Sequence, residues 1–163
     1  MSHLAVPCLF TLPRRVYVEE RTLRLLVEDA CARWNAIHPG LFLLVDEPAA
    51  PVHVVRGERT WVLMPVNTAE SIVHWGGEMP GYWMAHELGH TLGLGDHVWA
   101  GLEGSGYRNP QVDAATDPAR YRGVMSYLDP PDGWFGPDDV RMLRDHFREA
   151  ANMVTVPMVS GGG

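Results

Sequence analysis

Lysine is missing from this chain: all 13 of its basic residues are arginine, a bias that reads as genome composition and carries no chemistry of its own. Those cations are outnumbered by 20 acidic residues, and the net charge of -7 argues against nucleic acid or an anionic membrane surface as partner. No apolar run approaches the roughly 20 residues of a membrane span, so no membrane partner is expected. The opening MSHLAVPCLFTLPRR has no basic region ahead of an apolar stretch and does not read as a secretory signal. Cysteine is scarce too. Cys8 and Cys31 allow one disulfide or two buried thiols, and spacing leaves both open. A metal-blocking thiolate at Cys8 is disfavoured, because a small apolar-flanked cysteine is usually core.

What is present suits a globular protein. Hydrophobic residues make up 46% of 163, enough chain to bury one core. Residues 1–158 read as a single domain and 159–163 as a flexible tail; no repeat or linker divides the chain, and a monomer is expected. The alternating RVYVE of Arg15–Glu19 predicts a strand. After it Leu23, Leu26, Val27, Ala30, Trp34 and Ile37 recur at helical spacing, forming one apolar stripe that Pro39-Gly40 ends. Short strands follow at Leu41–Glu47, Val52–Glu58, Thr60–Asn67 and Ser71–Trp75. Pro65 marks Thr60–Asn67 as an exposed edge.

A second helix is predicted over Tyr82–Leu92, then a loop rich in Gly, Pro, Asn and Asp from Gly93 to Gly133. An irregular stretch of that length is usually functional. A last helix opens at Gly136, where Pro137 suits the first turn and Asp138 and Asp139 favour the positive end of the helix dipole.

The chemistry concentrates in MAHELGHTLGLGDH, Met84–His97. His86 and His90 are four apart, so on a helix both imidazoles lie on one face and can reach one ion. Glu87 stands beside that face, able to touch a water on the ion without being a ligand. Imidazole and carboxylate donors in an open site suit Zn2+, which draws the pKa of its water toward neutrality. Gly93, three past His90, lets the helix stop and turn sharply. The turn returns the chain toward the ion, and about thirty residues on comes Gly123-Val124-Met125-Ser126-Tyr127.

HELGHTLGLGDH followed by GVMSY resembles the metzincin zinc metallopeptidases, whose signature is HExxHxxGxx, a third ligand and a later Met-turn. With Asp96 where most of that family has histidine, the string is similar to the snapalysin type. The likeness covers signature and Met-turn closely, and the remaining element order only as a pattern. It implies an α+β fold with a small mixed, mostly parallel twisted sheet and an antiparallel edge strand. A backing helix, the active-site helix, the long loop with the Met-turn and a C-terminal helix complete it. It also implies secretion, and an aromatic preference just after the cleaved bond.

The third ligand has two candidates. Ungapped, the signature places Asp96 there; reading Gly95 as an insertion would hand the site to His97. Neighbours in an extended turn point to opposite sides, so the pair does not coordinate together. A carboxylate ligand leaves the ion less positive than a third imidazole, which raises the expected pH optimum. By resemblance Met125 forms a floor beneath the ion, and Tyr127 sits where a phenol can donate to a tetrahedral oxyanion. Plain packing residues would look the same at both positions.

Elsewhere the signals are weaker. Asn109, Asp113 and Asp117 are a loose candidate set for structural Ca2+, without an EF-hand pattern. Glu103 in GLEGSG is poor helix, which counts against it as a helical third ligand. His3, His38, His53, His74 and His146 are scattered. The function expected is a zinc metalloendopeptidase, with Glu87 as general base, acting on polypeptide bound extended along the Thr60–Asn67 edge. The rivals are a zinc-binding recognition module without activity and a hydrolase of non-peptide amides. Glu87 weighs against the first, since a purely structural zinc site has no use for a general base.

Overall fold

The alternating apolar segments assemble into a five-stranded sheet in the order β2-β1-β3-β5-β4. Its strands are β1 (Arg14–Val18), β2 (Phe42–Val45), β3 (Val52–Gly57), β4 (Trp61–Leu63) and β5 (Ser71–Gly76). The computed structural model describes residues 11–63, 70–77, 79–94, 123–125, 133–137, 139–145 and 147. β2, β1, β3 and β5 run parallel, and β4 lies antiparallel to β5 at the sheet's end. The chain is thus a small mixed α/β fold, with the mostly parallel sheet and antiparallel edge that the resemblance implies. The edge strand described is shorter than Thr60–Asn67; Pro65 lies outside the described residues.

Two helices complete this part of the chain, α1 (Arg21–Ile37) and α2 (Tyr82–Thr91). α1 buries Leu23, Val27, Ala30, Cys31 and Trp34, which spread over three turns on one stripe. Leu26 and Ile37, at the margins of the stripe, are half-buried. α1 packs on β1, β2 and β3, while α2 lies against α1, β4 and β5. Val16, Val18, Val52, Val54, Val73 and Trp75 fill the covered face, each no more than 2% exposed. Between them, on the opposite face, Val55, Ile72 and Trp61 stay exposed, as period-two alternation requires.

Three side chains pin these elements in ways the pattern does not announce. Asn35 Oδ1 accepts from the backbone N–H of Leu41 and Phe42, and its Nδ2 donates to the Phe42 carbonyl, joining the end of α1 to β2. Trp34 Nε1 donates to the Ala85 carbonyl at 2.8 Å, tying the two helices together. Arg14 is 1% exposed and donates to Ser71 Oγ at 2.9 Å across the start of the sheet. Cys31 is a free thiol; burial, reinforced by the Glu28 charge, pushes its pKa from 9.0 up to about 12.

The chain divides into two compact units, Leu9–Leu92, just described, and Met1–Cys8 with Gly93–Gly163. In the second, residues 137, 139–145 and 147 are helical, and Met142 and Leu143 are buried. Asp139 does more there than favour a dipole. Its carboxylate, 1% exposed, accepts from Gly136 N at 2.8 Å, Val124 N at 2.9 Å and Met125 N at 3.1 Å. The first contact is a capping-box bond, since Val140 N donates to Gly136 O and makes Gly136 the N-cap. The other two hold the Gly123–Met125 turn. A side chain at Gly123 would collide with that carboxylate, which explains the glycine.

Candidate metal centre

α2 is buried nearly all round: Met84, Ala85, His86, Glu87, Leu88, Gly89 and Thr91 are all inside. Helices of that kind usually carry apolar side chains alone. This one places His86 at 3% exposure and Glu87 at 7%, and withdrawing such groups from water is costly unless they are partnered. Its anchor is the Trp34–Ala85 hydrogen bond, one residue before His86. The helix end is closed by Leu92 N donating to Gly89 O and by the Thr91 hydroxyl donating to Leu88 O. Gly93 then takes φ of 90°, the left-handed turn that its position after His90 predicts.

The two imidazoles converge. His86 Nε2 and His90 Nε2 stand 3.0 Å apart with the rings at 88°. Without an ion between them, one nitrogen must carry the proton and the other the lone pair. With both lone pairs turned to one zinc at 2.0–2.1 Å in tetrahedral geometry, the nitrogens would stand roughly 3.3 Å apart. The observed spacing is within a few tenths of an ångström of that, so these donors fit a shared zinc. Trp83 meets the His86 ring edge-on, with centroids 5.1 Å apart, and restricts its rotation. The i, i+3 spacing of Trp83 and His86 on the helix is the local signal for this contact.

Glu87 follows His86 on the helix, about 100° further round, inside the same buried environment. Asp96, His97 and Tyr127 lie outside the described residues, as do Glu103, Asn109, Asp113 and Asp117. Among the described residues no group of three metal-ligating side chains comes together. Met125 is fully buried in its turn, held by Asp139. Of the scattered histidines, His38 and His53 contact the carbonyls of Pro39 and Pro48, and His74 stacks on Trp61. His3 and His146 are outside the described residues.

No protein-family model matches the chain, and no curated protein matches it significantly. The functional reading therefore stands on the motif and on the geometry of α2.

Proposed function

We propose that the chain is a zinc-dependent metalloendopeptidase of the metzincin type. One observation carries the reading: two imidazole nitrogens 3.0 Å apart on a buried helix, next to a buried carboxylate. A core helix has no packing reason to hold buried His86 and Glu87 beside a half-buried His90, and ionisable groups gathered in this way mark a candidate functional site. His86, His90 and Asp96, or His97 in its place, would hold the zinc, which supplies a water whose pKa lies near neutrality.

Glu87 takes the proton from the attacking water and returns it to the departing amine, so no free base is released into a buried site. Tyr127 donates a hydrogen bond to the oxyanion of the substrate as its carbonyl becomes tetrahedral. Polypeptide binds extended along β4, the terminal strand of the sheet among the described residues, through its outer backbone groups. α2 lies directly against β4 and β5, so a peptide added there runs close to His86 and His90.

Cleavage of denatured casein by the full chain, lost with chelator and restored by Zn2+, is the expected result. Zinc binding without cleavage would leave the inactive recognition module standing. Chelator-insensitive cleavage would remove the metal from the mechanism. Elemental measurement of zinc and calcium in the purified protein closes the metal assignment.

A further inference from the structure

α2 poses a problem of orientation that α1 does not. A helix with one apolar stripe turns that stripe to the core, and burial sets its rotation. α2 is buried from Met84 to Gly89 and again at Thr91, so burial alone distinguishes its rotations poorly. Rotation nevertheless decides where His86 and His90 aim. A side-chain tip stands roughly 5–6 Å from a helix axis, so a turn of about 10° carries it by about 1 Å. Metal coordination is sensitive to shifts of about 0.2 Å.

A directional contact resolves the orientation, and Trp34 supplies one from a neighbouring element. Its indole, fully buried on α1, donates from Nε1 to the Ala85 carbonyl at 2.8 Å. Ala85 immediately precedes His86, so the bond acts on the turn that carries the first imidazole. The same carbonyl is the helix's own acceptor for the N–H of Gly89, four residues on. A side chain at position 89 would lean back over that carbonyl, because helical Cβ atoms tilt toward the N-terminus. Glycine leaves it open to a second donor. Trp83 also meets His86, but it rides on the same helix and turns with it. We propose that Trp34 is a positioning residue whose indole N–H sets the rotation of α2, and so the aim of His86 and His90, apart from the packing that its bulk supplies. The consequence for zinc rests on the peptidase reading; the placement of His86 does not.

The test removes the N–H and keeps the ring. Benzothienylalanine, which carries sulfur in place of the indole nitrogen, is introduced at position 34 of the full chain. Trp34→Phe, which also loses the donor, serves where the isostere does not fold. In chelator-treated protein, carbethoxylation of His86, 3% exposed, is compared with that of exposed His38 by peptide mass spectrometry. Loss of one hydrogen bond should raise the His86 rate relative to His38 about threefold to tenfold, and weaken zinc by a similar factor in chelator competition. Val16→Ala, a core truncation in β1, should lower stability without moving either readout. Unchanged protection of His86 in the isostere, or an equal rise in Val16→Ala, overturns the inference. If the wild type binds no zinc while His86 protection still depends on the N–H, the peptidase reading fails and the positioning role stands.

Discussion

α1 and α2 sit side by side in the same unit and solve burial in opposite ways. α1 buries five of its 17 residues and leaves Glu28, Asp29 and Arg33 in water, where Arg33 pairs with Asp29. Its one stripe faces the sheet and α2, and hydrophobic burial explains it apart from the Trp34 bond to Ala85. α2 buries seven of its ten residues, among them a histidine and a glutamate. Packing explains Met84, Ala85 and Leu88, but not His86 and Glu87. On the proposed reading, α2 carries its ionisable groups inside for chemistry rather than for packing.

Substitutions in α2 should therefore change activity most, and substitutions in the frame should change stability. Glu87→Ala is expected to lower turnover about 10²- to 10⁴-fold with zinc content unchanged, read by casein cleavage beside elemental analysis. Undiminished cleavage would take Glu87 out of the mechanism. His86→Ala and Asp96→Ala should weaken zinc by more than about 100-fold in chelator competition, since second-sphere changes alone reach that size. His97→Ala should largely retain the ion, and the reverse pattern would assign the third ligand to His97.

The frame should respond differently. Trp34→Ala removes a fully buried indole and its bond to Ala85, and should cost about 3–5 kcal/mol in urea unfolding. Asp139→Ala leaves the Val124, Met125 and Gly136 donors without their carboxylate, at about 2–3 kcal/mol by the same measurement. Cys31 gives the smallest signal. Its folded pKa of about 12 lies above the 9.0 of an unburied thiol, so its contribution to stability is complete below pH 9. That contribution falls as pH rises toward 12, because only the unfolded thiol ionises readily in that window. Cys31→Val should flatten this part of the stability profile, and alkylation of the folded wild type at pH 8 should be slow.

Local features were legible to within a residue or two. Alternation located β1, β3 and β5, and the apolar stripe located α1, because both depend on neighbours along the chain. The HELGH string and Gly93 located α2 and its end for the same reason. Less was legible where partners are distant. Trp34 and Ala85 are 51 residues apart, and Arg14 and Ser71 are 57 apart. Asp139 could be read as a helix-dipole residue, but not as the clamp of a turn 14 residues back. Nothing local singled out Trp61 from the other tryptophans.

By itself, then, the amino-acid order determined the periodic elements, the helical spacing of His86 and His90, and the glycine that ends α2. These follow from backbone geometry that repeats every two or 3.6 residues. Tertiary structure alone decided the strand order β2-β1-β3-β5-β4, that His86 and Glu87 would be withdrawn from water, and that Trp61 would not be. Burial and strand order are set by which distant surfaces exclude water together, a property of the folded chain and of no segment within it.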